Sequence, residues 1–207
     1  MKIVGVLALQ GAFIEHVQYV QQCIEKSGYA LEVKTVRTPS ELSSCDALII
    51  PGGESTAISQ IAERNELLGP LQKFVQQPEK AVWGTCAGLI FLASELTNEA
   101  NLVRNLGCLK VAVKRNAFGR QSHSFVADLD FSSFLPGGEA FPTVFIRAPV
   151  VEKILGDDVQ VLHSIQSPSG GDLVVAVRQG NVLGTSFHPE LADDIRFHDW
   201  FLKEFVI

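Results

Sequence analysis

The chain has 207 residues, 46% hydrophobic and 19% charged, a balance that excludes a disordered or collagen-like polypeptide. This length suits a single domain over residues 1–207, and folding at this size buries roughly 70% of the unfolded surface without staples. Asp and Glu (23) outnumber Lys and Arg (17) for a net charge of −6, which excludes a global nucleic-acid footprint, and no apolar run is long enough for a membrane helix.

Lys2 to Leu9 is nearly continuously apolar and reads as a first, buried parallel strand. Gln10 and Gly11 end it without the small-residue cleavage site of a secretory signal, so a cytoplasmic location is expected. A helix follows, with Phe13, Val17, Val20 and Ile24 on one face and Gly28 placed to cap its end. Leu31 to Val36 is a second strand; Thr38-Pro39 opens a short helical turn, with Thr38 as N-cap. Ala47 to Ile50 is a third strand, stopped by Pro51-Gly52-Gly53. Ser55 to Arg64 and Leu67 to Gln77 read as helices, Ala81 to Trp83 as a central strand, and Ala87 to Leu96 as another helix.

Beyond about residue 97 long helices are missing. Cys108 to Val113, Ser122 to Ala127, Thr143 to Ile146, Val159 to Ser164, Leu173 to Arg178 and Val182 to Ser186 look like strands, and Asp193 to Phe205 closes the chain as an amphipathic helix. Asn98 to Leu106 and Phe131 to Phe141 read as surface loops. The fold expected is α/β, an open and mostly parallel sheet flanked by helices with a strand-rich second half.

The cysteines, Cys23, Cys45, Cys86 and Cys108, form no C-x-x-C pair, so they give no support for a zinc or other metal site and are expected as free thiols. Cys86 differs in context. Gly84-Thr85-Cys86-Ala87-Gly88 follows an apolar strand and opens an apolar helix, the arrangement of a nucleophile elbow with sulfur in place of oxygen. A helix N-terminus favours negative charge and should lower the thiol pKa. The plainer reading is a tight βα turn with glycines for close packing.

Ser186-Phe187-His188-Pro189-Glu190 follows the last strand. Pro189 biases His188 toward extended backbone, where residues i and i+2 share a side. Glu190 can then hold one ring nitrogen of His188 and leave the other to serve as base. Alone this is a loop histidine; with the elbow it completes a Cys-His-Glu triad. His16, His123, His163 and His198 lack such a neighbour in sequence and are read as surface or core residues.

Pro51-Gly52-Gly53-Glu54-Ser55-Thr56 lies at the C-terminal end of a strand, where ligands of open α/β sheets bind. It reads either as a turn with a helix cap or as a loop whose N–H groups approach a substrate; the phosphate-loop pattern is absent. Lys110, Lys114, Arg115 and Arg120 form a basic cluster, a solvated face or a carboxylate site. Arg147 is a lone charge after the apolar strand ending at Ile146.

G-T-C-A-G with a distal H-P-E resembles the class I, or triad, glutamine amidotransferases. Gly5 to Gly11, Pro51 to Thr56, Gly84 to Leu89, Arg115 to Gln121, Phe145 to Pro149 and Ser186 to Leu191 together resemble the glutaminase subunits of pyridoxal 5′-phosphate synthase, over nearly the whole chain. The resemblance implies a flavodoxin-like fold and hydrolysis of L-glutamine to glutamate and ammonia. It implies Cys86 as nucleophile, His188 as general acid and base, Glu190 as its orienting carboxylate, and Gly53 and Ala87 as oxyanion donors. Gly53, Glu54, Ser55, Arg115, Ile146 and Arg147 match glutamine-binding positions, and Gln10 a position near the partner interface. The implied partner is the barrel-shaped synthase subunit that consumes the ammonia; no cofactor or metal, nucleic acid or membrane is implied. One oxyanion donor is worth about 10²- to 10³-fold, whereas full ionisation of an ordinary thiol gains about 30-fold at pH 7. Reorientation of the Gly52-Gly53 peptide by a partner is therefore a powerful switch.

Three other readings share parts of this pattern. A glutaminase for a different acceptor would keep the triad, but the Arg115-to-Gln121 block and Gln10-Gly11 argue against it. A cysteine protease-like enzyme commonly has histidine beside the cysteine, where this chain has Ala87. A non-catalytic binding subunit would not need a complete triad.

Overall fold

The computed structural model describes residues 1–98, 103–118, 124–138, 140–167 and 170–207. Gly119 to His123 lie outside them, including the end of the Arg115-to-Gln121 block, Arg120 and the start of the strand expected from Ser122; so does part of the segment from Asn98 to Leu106.

The first half alternates strands and helices: β1 (Lys2–Leu7), α1 (Phe13–Ser27), β2 (Leu31–Val36), α2 (Pro39–Ser43), β3 (Ala47–Ile50), α3 (Ser55–Arg64), α4 (Leu68–Val75), β4 (Ala81–Thr85) and α5 (Ala87–Leu92). Local chemistry sets the boundaries. Gly28 caps α1 in the left-handed region at φ 67°, and its N–H bonds to Ile24 O. Thr38 and Glu41 form a capping box at α2, with Pro39 in the first turn.

The second half is strand-rich: β5 (Ala93–Leu96), β6 (Leu109–Lys114), β7 (Ser124–Leu129), β8 (Phe141–Ile146), β9 (Val150–Ile154), β10 (Val159–Gln166), β11 (Asp172–Gln179) and β12 (Val182–Thr185). A 3₁₀ turn (Pro189–Leu191), α6 (Arg196–Phe201) and a π-helical turn (Leu202–Val206) finish the chain.

Three sequence expectations need correction. The run from Ala87 to Leu96 is helical only to Leu92 and then becomes β5. The closing helix starts at Arg196 rather than Asp193 and changes to a π turn at Leu202. The segment from Phe131 to Phe141 is not simply a surface loop, because Phe131, Leu135 and Phe141 are buried. The strand β9 was not anticipated.

Among the described residues the main sheet has ten strands, in the order β2-β1-β3-β4-β12-β11-β9-β6-β5, with β10 paired to β11. Strands β2, β1, β3, β4 and β12 are mutually parallel, a flavodoxin-like order. The antiparallel β11 begins the extension. Apolar side chains fill both faces: Leu42, Ile58, Leu71, Phe74, Leu89 and Phe91 of α2 to α5 pack in one cluster, and Val20, Phe197 and Phe201 of α1 and α6 pack in the other with Phe131, Phe141 and Phe145. On β4, Val82 serves the first cluster and Ala81 and Trp83 the second, as strand alternation requires. No helix among the described residues is long and apolar enough to cross a membrane.

Candidate active site

The site grows from the C-terminal ends of β1, β3, β4 and β12, the edge where open parallel sheets bind ligands. β4 and β12 are in register, Thr85 opposite Thr185. Cys86 follows the first and His188 lies three positions beyond the second, so adjacent strands deliver both. The Cys86 N–H bonds to Thr185 O at 2.8 Å, and the His188 N–H to Val144 O at 2.8 Å. Phe187 anchors the histidine from behind, fully buried and stacked on Phe131 with ring centres 5.4 Å apart.

Cys86 has φ 48° and ψ −102°, the strained strand-to-helix turn anticipated for an elbow. Its Sγ lies 3.8 Å from Ile146 O. Asn116 (φ 51°) and Arg147 (φ 45°) are also in the positive-φ region. Three of the five such non-glycine residues among those described thus line one cavity, and strained backbone of this kind gathers at functional sites.

His188 Nδ1 is 2.8 Å from Glu190 Oε1, and both side chains are buried. Burial opposes a charge on the imidazole, but hydrogen bonding to Cys86 and Glu190 outweighs it and pushes the His188 pKa up to about 10. Burial likewise opposes a charge on Glu190, yet the nearby His16 and His188 rings hold its carboxyl below the usual range.

The loops after β1 and β3 interlock. Gly11 has φ 97°, and a Cβ there would stand 1.9 Å from Gly52 O, so only glycine fits. The Ala12 N–H bonds to Gly52 O at 3.1 Å, and the Glu54 N–H to Gln10 Oε1 at 2.7 Å. Glu54 caps α3, accepting from the N–H groups of Thr56 and Ala57, and lies 3.4 Å from Arg115 Nη2.

These parts enclose a cavity of about 340 Å³, a volume suited to a small metabolite. Every residue anticipated for catalysis or glutamine binding lines it except Ala87 and Glu190, and Gln10 does too. Ala87 is buried at the start of α5, and Glu190 lies behind His188. The Ser55 hydroxyl is buried with no hydrogen-bond partner among the described residues. Two lining residues, Ile90 and Asn116, were not singled out in the sequence. Neither was His16, which reaches Glu190 from α1 at 3.3 Å; its only signal in the sequence is a position one residue before Val17 on the apolar face. The other basic residues of the Arg115 cluster that are described point elsewhere: Lys110 pairs with Asp158 and Lys114 with Glu152. Among the described residues no group of three or more His, Cys, Asp or Glu side chains could hold a metal ion.

The likeness to known proteins agrees with this arrangement. The chain is 58% identical to the pyridoxal 5′-phosphate synthase subunit SNO1 of Saccharomyces cerevisiae, over all of this chain and 94% of that one. It is 44% identical to the pyridoxal 5′-phosphate synthase subunit PdxT of Thermococcus onnurineus, over 97% and 98% of the two chains. A crystal structure of a glutamine amidotransferase superposes with a TM-score of 0.80 at 45% identity, covering 97% of each chain. Residues 6–207 match the model of the SNO glutamine amidotransferase family, to which this chain belongs.

Proposed function

We propose that the chain, as one glutamine amidotransferase domain, hydrolyses L-glutamine to L-glutamate and ammonia and hands the ammonia to the synthase subunit that makes pyridoxal 5′-phosphate. The observation that carries this reading is the joining of a positive-φ cysteine, Cys86, with a buried His188–Glu190 pair at 2.8 Å in one small cavity. Arg115 and Arg147 give that cavity two cations for a substrate carboxylate.

In this reading the Cys86 sulfur attacks the side-chain amide carbon of glutamine. The backbone N–H groups of Gly53 and Ala87 receive the oxyanion, which is worth about 3–4 kcal/mol per donor. His188 gives its proton to the departing nitrogen, ammonia leaves and a glutamyl thioester remains. Hydrogen bonding to Cys86 is the leading influence holding the His188 proton. Acylation removes that influence, so the same ring becomes less basic and can take a proton from water. Hydroxide attack on the thioester then releases glutamate and restores Cys86.

The Gly52–Gly53 peptide is pinned by Ala12 through Gly52 O, beside the Gln10–Glu54 bond. Turning it to aim a donor at the oxyanion costs the Ala12 bond. In this account the synthase subunit supplies the compensating contact near Gln10, which keeps hydrolysis low until ammonia has a destination. We place this activity in the cytoplasm as part of the same reading.

The test is glutamate release from glutamine with and without the synthase subunit. We expect release to rise sharply with the partner and to vanish in Cys86→Ala. Release that persists in Cys86→Ala would refute the nucleophile; release indifferent to the partner would refute the pathway.

A further inference from the structure

Behind the triad lies a buried polar chain that the reaction as written does not use. Glu190 offers one oxygen, Oε1, to His188; its other, Oε2, lies 3.3 Å from His16 Nε2, within ion-pair reach, and has no hydrogen-bond partner among the described residues. His16 comes from α1 and its Nδ1 lies 2.8 Å from Nε2 of His198 on α6. Both histidines are fully buried. Thr85 Oγ1 is also 3.3 Å from His16 Nε2, while the Trp83 Nε1–H donates to Thr185 Oγ1 on the neighbouring strand.

Hydrogen-bond accounting selects one set of tautomers. Burial pushes both pKa values down to about 3, so at neutral pH each ring carries a single N–H. With the His16 proton on Nε2, the N–H donates to Thr85 Oγ1 at 3.3 Å and sets its positive end beside Glu190 Oε2, also 3.3 Å away. His16 Nδ1 then accepts from His198 Nε2–H, and His198 Nδ1, which has no hydrogen-bond partner among the described residues, is a bare lone pair. The opposite tautomer aims a lone pair at a carboxylate oxygen and leaves a buried N–H on His198 Nδ1 unpaired. Buried orphan donors are the rarer and costlier defect.

We propose that His16 is a positioning residue for the Cys86–His188–Glu190 centre: its Nε2–H dipole, 3.3 Å from the second oxygen of Glu190, steadies the carboxylate, and His198 holds His16 in the tautomer this needs. The chain then runs from His198 through His16 and Glu190 to His188, and it directs the His188 Nδ1 proton toward Glu190, leaving Nε2 for chemistry. The titratable groups facing Glu190 are His188 from its own turn, His16 from α1 and, one ring further, His198 from α6. The Tyr19 ring packs on His198. This inference rests on the proposed hydrolysis.

Two measurements test it. The first needs no turnover: ¹⁵N NMR of histidine-labelled chain should show His16 with a protonated Nε2 and a bare Nδ1 at pH 7, and the reverse tautomer overturns the inference. The second is glutamate release with the synthase subunit present. His16→Leu should lower kcat by about 10-fold, as removal of such supporting contacts typically does, and leave the KM for glutamine unchanged. Its acid limb should move up by about one pH unit, because a Glu190 that loses the positive end of the His16 N–H dipole protonates more readily. His16→Gln keeps a donor near Nε2 and an acceptor for His198, and should restore kcat to within about threefold and return the limb. An unshifted limb in His16→Leu, or a His16→Gln as impaired as His16→Leu, overturns the positioning role alone. A wild-type chain inactive with its partner overturns the proposed function and this role with it.

Discussion

Gly52→Ala puts the geometry of the centre under direct strain. A Cβ on Gly52 would stand 2.2 Å from His188 Cε1 and 2.8 Å from Nδ1, whereas such contacts essentially never fall below 3.0 Å. The ring or the loop must therefore yield by about 0.8 Å at the closest contact. Neither can do so freely. The ring is tied to Glu190 at 2.8 Å, and the loop to the Ala12 N–H at 3.1 Å. Overpacking of this kind costs about 1–3 kcal/mol of stability, and misplacing a catalytic group by about 1 Å costs about 10²-fold in rate. We expect a variant that stays folded, with kcat reduced about 100-fold in the partner-stimulated glutaminase assay. Gly69→Ala is the control: nothing lies within 4 Å of its Cβ, so full activity and a slight gain in helix stability are expected. Gly53→Ala should fall between, because its Cβ would stand 2.3 Å from Gln10 Oε1, a side-chain end that can swing away only by giving up the Glu54 N–H. A Gly52→Ala enzyme within threefold of wild type would refute the reasoning.

Two further outcomes follow from the site and its supporting histidines. Arg147→Ala should raise the glutamine KM by about 10-fold with a smaller change in kcat, as expected for a lost charge-assisted contact; an unchanged KM in steady-state assays would remove its carboxylate role. Stability should fall with acid. His16 and His198 have folded pKa values of about 3 against 6.5 for an ordinary histidine, so unfolding takes up a proton at each as pH drops below about 6.5. Each then contributes a slope of about 1.4 kcal/mol per pH unit until the folded pKa is approached. Denaturant unfolding between pH 6 and 5 should show this slope, and His198→Phe should flatten it by about one proton; an unaltered slope would contradict the burial account.

The sequence made the site more legible than the scaffold around it. Cys86, His188 and Glu190 lie in two short motifs whose backbone demands are local: small residues around an elbow, and a proline that biases the preceding histidine. The β4 and β12 pairing then brings the motifs together. The strand β5 was hidden because Ala87 to Leu96 stays apolar across the change from helix to strand, and periodicity cannot divide such a run. The strand β9 was hidden because only Val150 and Val151 of its five residues are buried, so no alternation marks it. His16 and His198 meet across 182 positions of sequence, through the packing of α1 against α6. Nothing local announces a contact of that kind. Asn116 stood within a recognised block, but its positive φ and its place on the cavity wall are tertiary facts.

The central claim is that Cys86 forms a covalent intermediate with the glutamyl group. Incubation with an electrophilic glutamine analogue, followed by peptide mass spectrometry, tests it most directly. The account predicts one adduct per chain, on the peptide carrying Cys86, formed faster with the synthase subunit and suppressed by excess glutamine. Modification at Cys23, Cys45 or Cys108 instead, or labelling of Cys86 that glutamine does not slow, would contradict it.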